Sequence, residues 1–360
     1  SSGVASGSFA SNSLQITPAG SSNGSSTGIV NMTMDANIDD NSAFQTFTVR
    51  FSEPVYNVSF TVLDIDGGPS YAGLWNDIVD FSSDNGFPSA VITNAAWVAY
   101  NSATGRATAI SNQNATSGAA NQANGNIRLT FAGPITTFSV RHYAAPADDP
   151  GTGANETNPA GQVIFIDDVT FTRSPRLAIQ KTSNGGIGTF NFSNSNGFTF
   201  TAPSTYTYGV TTTSVTTAVA GTAVTGSSNI LGYTNVATTI TETGASGWLI
   251  TSSPVTCTDS NSATSGNPAS FNATVSGYVV TLAATNVRAG AVITCSIVNG
   301  KRPTLQIVKQ SVGNRGSFDF TSSNFTGTVN VDTTSANPAS SAVQTLTTAT
   351  TIATTVRTAA

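Results

Sequence analysis

The chain has 360 residues, a net charge of −5 and only 9% charged residues. That balance excludes nucleic acid as a partner, since phosphate binding needs a basic surface. No apolar run reaches the roughly 18 residues of a membrane helix, so no membrane span is expected. Much of the remainder is Ser, Thr, Asn and Gly, with abundant β-branched residues and few helix formers, which predicts an all-β chain.

Taken in order, residues 1–30 read as a Ser/Gly/Asn-rich start with a short edge strand around Leu14 and Ile16. The opening Ser1-Ser2-Gly3 fits a mature terminus exposed by cleavage. From Ile29 to Phe171, short strand patterns alternate with Gly, Asn and Pro turns, predicting a β-sandwich over 1–172. Within it, 105–124 reads as a polar loop. A linker at 173–176, Arg-Ser-Pro-Arg, precedes a module over 177–302 whose strand count suits an Ig-like sandwich. Proline at this junction and again at Pro303 predicts stiff separations.

The segment 177–192, LAIQKTSNGGIGTFNF, returns as 305–320, LQIVKQSVGNRGSFDF, at a constant offset of 128 residues. An internal repeat of this kind outranks local propensity as evidence. It predicts tandem β-sandwich modules, with 303–360 the opening part of a second copy: either the sequence is a piece of a longer repeat protein, or a strand from a neighbouring subunit completes the open module and gives a homopolymer. The chain has only three lysines, and Lys181 and Lys309 occupy one position of the repeat.

Residues two apart in a strand share a face. Leu177, Ile179 and Lys181 therefore point together, and the two apolar members identify that face as the core. By the same parity Ile240 carries Glu242 inward, and Ile293, Cys295 and Ile297 carry Asn299 inward. Burial favours the neutral form of a lysine, and a neutral amine is a nucleophile. A neighbouring carboxyl can move the proton, and the Asn299 side chain offers the electrophilic carbon. Two outcomes stand open for this set. One is a Lys181–Asn299 isopeptide bond formed autocatalytically with loss of ammonia, which needs no cofactor. The other is a Lys181–Glu242 ion pair with Asn299 merely ending its strand.

The ordered set Leu177-Ala178-Ile179-Gln180-Lys181, Ile240-Thr241-Glu242-Thr243, Gly247-Trp248, Val255-Thr256-Cys257-Thr258 and 294–299, TCSIVN, resembles bacterial surface-protein repeats of prealbumin-like or collagen-adhesin B type. The resemblance covers about 177–310. It implies an Ig-like sandwich in which Lys181 and Asn299 form the isopeptide and Glu242 is the catalyst. The Ala-Pro usual before the Gly-aromatic pair is Ala245-Ser246 here.

Cys257 and Cys295 are the only cysteines. An even pair in a low-charge, Thr-rich module suits a disulfide in an oxidising, extracellular compartment; two buried free thiols are the other reading.

Twelve of the fifteen aspartates precede residue 173. Asp64, Asp66 and Asp168 are the candidate Ca²⁺ ligands, with turn-forming and strand-capping roles as the alternative. The segments 51–66 and 165–171 look like N-terminal sandwich domains of bacterial surface proteins. Tyr71, Trp75, Trp97 and Tyr100 form a candidate sugar-stacking platform, or else core packing. His142, the single histidine, is expected to be a packed or surface residue. No hydrolase motif is present. These readings converge on a secreted, cell-surface structural subunit, a fibre or adhesin stalk. The alternative is an adhesin module that recognises a glycan or host protein through its N-terminal sandwich.

Overall fold

The computed structural model describes residues 4–6, 9–17, 29–36, 44–68, 75–110, 114–115, 120, 122–144, 162–200, 206–208, 213–243 and 246–347. The chain divides into two compact units, Ser1–Ser174 and Pro175–Ala360. Only Ser174 and Pro175 lie between the strand that ends the first unit and the one that begins the second. Among the described residues, helix is confined to Ser262–Ser265 and the 3-10 turn Ala284–Asn286.

In the N-terminal unit a 12-stranded sheet folds into two layers around one long strand, Phe44–Leu63. Its first half pairs with Ile135–Ala144, and its second half with Ile127–Phe131 and Gln162–Arg173. Val55 pairs with Ile135 and Arg50 with Thr137, so residues 51–54 form a bulged corner. Pro54 sits there because it lacks the N–H that a regular ladder would require. Alternation then fills the space between the layers: Phe138 and Val140 are buried, whereas Ser139 and Arg141 face outward. The rings of Phe60 and Phe138 stack at 4.8 Å, with Phe81 and Phe131 beside Phe60.

Two expectations are corrected here. Arg106–Ala109, inside the segment read as a loop, is a strand. Its inward residues, Ala107 and Ala109, are fully buried but too small to give a hydrophobic alternation. Trp97 does not belong to a surface platform: it is 6% exposed and packs in the core, where so large an apolar ring gains most. Tyr71 and the side chain of Trp75 lie outside the described residues.

The second unit contains an 11-stranded sheet, again wrapped into two layers. One layer places Arg176–Asn184 beside Val292–Lys301, in parallel, with Val255–Asp259 on the far side of the latter. Ser270–Ser276 pairs with both Val255–Asp259 and Val279–Leu282, and so leads into the other layer. That layer continues through Thr238–Thr243, Thr189–Asn194 and Thr213–Thr216. Leu177, Ile179, Phe190, Val255, Ile293 and Ile297 meet in the core between them.

Cys257 and Cys295 stand directly opposite each other on antiparallel strands, both fully buried, and are joined by a disulfide. It closes a loop of 38 residues. On the chain-entropy model such a loop stabilises the module by about 3–4 kcal/mol.

Residues 304–347 repeat the opening of this module bond for bond. In the first copy the Thr217 hydroxyl bonds Ser183 and accepts the Gly188 N–H; in the second, Thr333 does the same with Ser311 and Gly316. The Gly226 N–H to Ile179 carbonyl bond returns as Ser341 to Ile307, and Leu231 to Pro175 returns as Leu346 to Pro303. The repeated core holds Phe320, Phe325, Val329, Val331, Ala339 and Leu346, with Leu305, Ile307 and Phe318 only partly buried against it.

Candidate functional site

The sandwich of the complete module brings Lys181, Glu242 and Asn299 into contact. Lys181 lies on the first strand, opposite Ile297 of the parallel last strand, and Asn299 is two residues further along that strand. Both side chains point into the core because their strands alternate with Leu177, Ile179, Ile293 and Ile297. Glu242 approaches from the facing layer, carried by the buried Ile240. The Lys181 Nζ donates to Glu242 Oε2 at 2.7 Å and to Asn299 Oδ1 at 2.5 Å. The Asn299 Nδ2 donates to Glu242 Oε1 at 2.5 Å. The carboxyl group thus spans the amine on one oxygen and the carboxamide nitrogen on the other.

Water has no access to this triangle: Lys181 and Asn299 are 0% exposed and Glu242 4%. The ammonium lies over the rings of Phe190, at 4.4 Å, and Phe192, at 5.4 Å. Trp248 packs edge-on against Phe190 at 5.2 Å. Burial lowers the Lys181 pKa to about 8, against the opposing pull of Glu242. The amine is therefore neutral in about a tenth of molecules at pH 7, far more often than a solvated lysine.

The aromatic cradle is a feature that the sequence displayed without its meaning being read. Phe190 follows Lys181 by nine residues, and Phe318 follows Lys309 by the same interval. The Lys309 Nζ lies 4.5 Å from the Phe318 ring centre, repeating the first copy's stacking. Lys309 is half-buried, and among the described residues it has no carboxylate or carboxamide partner.

The aspartates of the N-terminal unit do not converge. Among the described residues no group of three or more His, Cys, Asp or Glu side chains, those of Asp64, Asp66 and Asp168 included, is placed to hold a metal ion. Asp168 is exposed at a bulge of the Gln162–Arg173 strand, with φ of 38°. Asp64, at φ 71°, turns the chain at the end of Phe44–Leu63. Asp66 is buried, and its carboxylate accepts the Ala115 N–H. The Asp66 N–H donates to Asp77 Oδ2 at 3.1 Å, and Asp77 Oδ1 lies 2.9 Å from Nε2 of His142. Burial pushes the Asp77 carboxyl well above its usual range and the His142 imidazole down to about 3. The Asp77–His142 pair is an internal tie of the sandwich, its donor set by the tautomer of the imidazole.

No helix among the described residues is long and apolar enough to cross a membrane. Neither a curated protein nor a solved structure matches the chain. Residues 177–301, which hold Lys181, Glu242, Asn299 and both cysteines, match the family model of a SpaA-type prealbumin-like fold domain.

Proposed function

We propose that this protein is a structural subunit of an extracellular bacterial surface fibre or adhesin stalk, and that its prealbumin-like module closes a Lys181–Asn299 isopeptide bond as it folds. The observation that carries this reading is the buried Lys181–Glu242–Asn299 triangle. The neutral Nζ attacks Cγ of Asn299, and the new C–N bond replaces the bond from Cγ to Nδ2. Glu242 accepts the proton that Nζ gives up at one oxygen and delivers a proton to Nδ2 from the other, so that nitrogen leaves as ammonia. The carboxyl emerges unchanged. No external reactant is consumed, and fixed positioning in a dry site supplies the acceleration. Intact mass of the mature chain tests this: one ammonia is missing beyond the two hydrogens of the disulfide. A chain that keeps that ammonia after folding overturns the reading.

Because the nucleophile is the neutral amine, formation should quicken as pH rises through about 8. In chain obtained unfolded and uncondensed and then folded by dilution from denaturant, the bond should form about 50-fold faster at pH 8 than at pH 6, the ratio of neutral amine for that pKa. A rate independent of pH over this interval would exclude Lys181 as the titrating nucleophile.

The bond-for-bond repeat at 304–347 supports a subunit built from modules strung end to end. In assembled material, Lys309 is the position at which a strand from a neighbouring copy, bearing Glu and Asn, would dock. Proteolytic mapping of that material should recover Lys309 in a peptide joined to a second chain; recovery of Lys309 only as an unmodified residue would exclude covalent assembly there.

A further inference from the structure

The N-terminal unit carries a cleft of about 800 Å³ on the outward face of one layer. Its floor is a row of residues that crosses five strands. Arg141 stands opposite Thr46 on one side and Asp80 on the other, and Arg106 stands opposite Asp80 and Asn101. At ordinary strand spacing that row is about 19 Å long. Its charged members are committed within the protein. The Arg106 Nε donates to Asp80 Oδ1 at 2.8 Å, and the Tyr143 hydroxyl donates to Asp80 Oδ2 at 2.9 Å. The Arg141 guanidinium lies 4.1 Å from the centre of the Phe44 ring, and both arginines make further contacts. What the cleft offers a ligand is neutral. Among the described residues, the hydroxyls of Thr46, Ser82, Thr104 and Thr108 and the Asn101 Nδ2 line it without a hydrogen bond to the protein.

One wall is aromatic. Phe87 is 48% exposed, in the connection between Trp75–Ser83 and Ser89–Ile92. That connection is held at several points. The Ser83 N–H and hydroxyl donate to the Gly86 carbonyl, the Asn85 Nδ2 donates to the Pro134 carbonyl at 3.1 Å, and the Tyr100 hydroxyl donates to the Pro88 carbonyl at 2.6 Å. The Asp84 carboxylate accepts the Thr136 N–H. The Phe87 ring rests on Gly105, where an added Cβ would come within 2.6 Å of it. An apolar ring is thus fixed half in water beside the cleft, a pre-organised contact for a ligand.

We infer that this cleft binds a neutral oligosaccharide, with a C–H face of one sugar ring on Phe87 and sugar hydroxyls on the Thr, Ser and Asn groups of the floor. A sugar hydroxyl both donates and accepts, and the Thr and Ser hydroxyls match it in either sense. Sugar C–H groups pack on the electron-rich face of a phenyl ring. A peptide strand is the poorer fit, because it docks by pairing with a sheet edge, and this floor is a sheet face. The row is longer than one sugar ring, so a chain of several rings should bind more tightly than its monomer. The inference does not depend on the isopeptide: a Lys181→Met chain should bind equally well.

Calorimetric titration of the full chain with cellohexaose, mannohexaose, galactohexaose and chitohexaose tests it, with galacturonic acid oligomers as the charged comparison. At least one neutral hexamer should bind, more tightly than its monomer and equally well at low and high salt, since no ion pair is made. Phe87→Ala should weaken that binding at least tenfold, and Phe87→Tyr, which keeps the ring, should restore it. Ala99→Arg, at an exposed position of the cleft where no side-chain hydrogen bond is lost, should block binding and leave the thermal melt unchanged, which keeps the test valid if Phe87→Ala disturbs folding. No neutral hexamer bound at millimolar concentration, tighter binding of the galacturonic acid oligomers, or undiminished binding by the folded Ala99→Arg chain would each overturn it.

Discussion

Glutamine in place of Glu242 should leave the folded chain at its uncondensed mass for hours to days, while the native chain should lose ammonia as it folds. The substitution keeps the volume between Phe192 and Asn299 and preserves a hydrogen-bonding group facing both partners. It removes the one function that a carboxamide lacks, which is to accept a proton from Nζ and return one to Nδ2. Loss of a positioned general acid–base costs about 100- to 10,000-fold in rate. Time-resolved intact mass after refolding reads this directly. Bond formation in Glu242→Gln at the native rate would mean that proximity of Lys181 and Asn299 suffices and that Glu242 only balances charge.

The second large effect is on stability. Relative to the folded chain before bond formation, Lys181→Ala should destabilise the 177–301 domain by about 3–5 kcal/mol, because it strips the cation from a buried carboxylate. It also leaves a void over the Phe190 and Phe192 rings, where the lysine end group now lies. Replacing both partners with apolar residues of similar size, Lys181→Met with Glu242→Leu, should recover much of that loss, since no charge remains uncompensated. Neither variant can form the bond, so the difference between them isolates the buried charge. Hydrogen exchange of the domain's core amides, compared across the native chain and the two variants, provides the measurement. A Lys181→Ala domain as well protected as the double variant would show that Glu242 finds solvent or another partner once the lysine is gone.

Much of the triangle was legible in the linear sequence because strand parity is a strict rule. Leu177 and Ile179 fix the direction of Lys181, Ile240 that of Glu242, and Ile297 that of Asn299, whatever the strand order. What parity does not give is the distance between faces. That Glu242 bridges amine and carboxamide depends on Thr238–Thr243 lying in the opposite layer, a consequence of pairing between residues far apart in sequence. The partners of the aspartates were hidden in the sequence for the same reason. Asp66 is engaged by Ala115, and Asp77 by His142, across 49 and 65 residues. Local spacing shows the carboxylates and not the groups that already occupy them. Trp97 and Tyr100 show a further limit: an aromatic residue near a strand end serves a core or a surface equally well, and only the fold divides them, placing Trp97 inside and Tyr100 only partly buried against the same core.

The parallel pairing of the first and last strands has a mechanical meaning. Chain enters the module at the start of Arg176–Asn184 and leaves at the end of Val292–Lys301, so tension on the two ends loads that pair in shear. In shear the rungs of the ladder bear force together instead of opening one at a time. Residues 181 and 299 are separated by 118 positions along the chain. Should the ladder part, that length would pay out about 400 Å of extended polypeptide. A covalent tie between Lys181 and Asn299 takes the whole of it out of the load path, leaving a few residues at each end to carry force and the rest of the sandwich slack. Such a module transmits a pull without lengthening, as a link in a chain does and a spring does not.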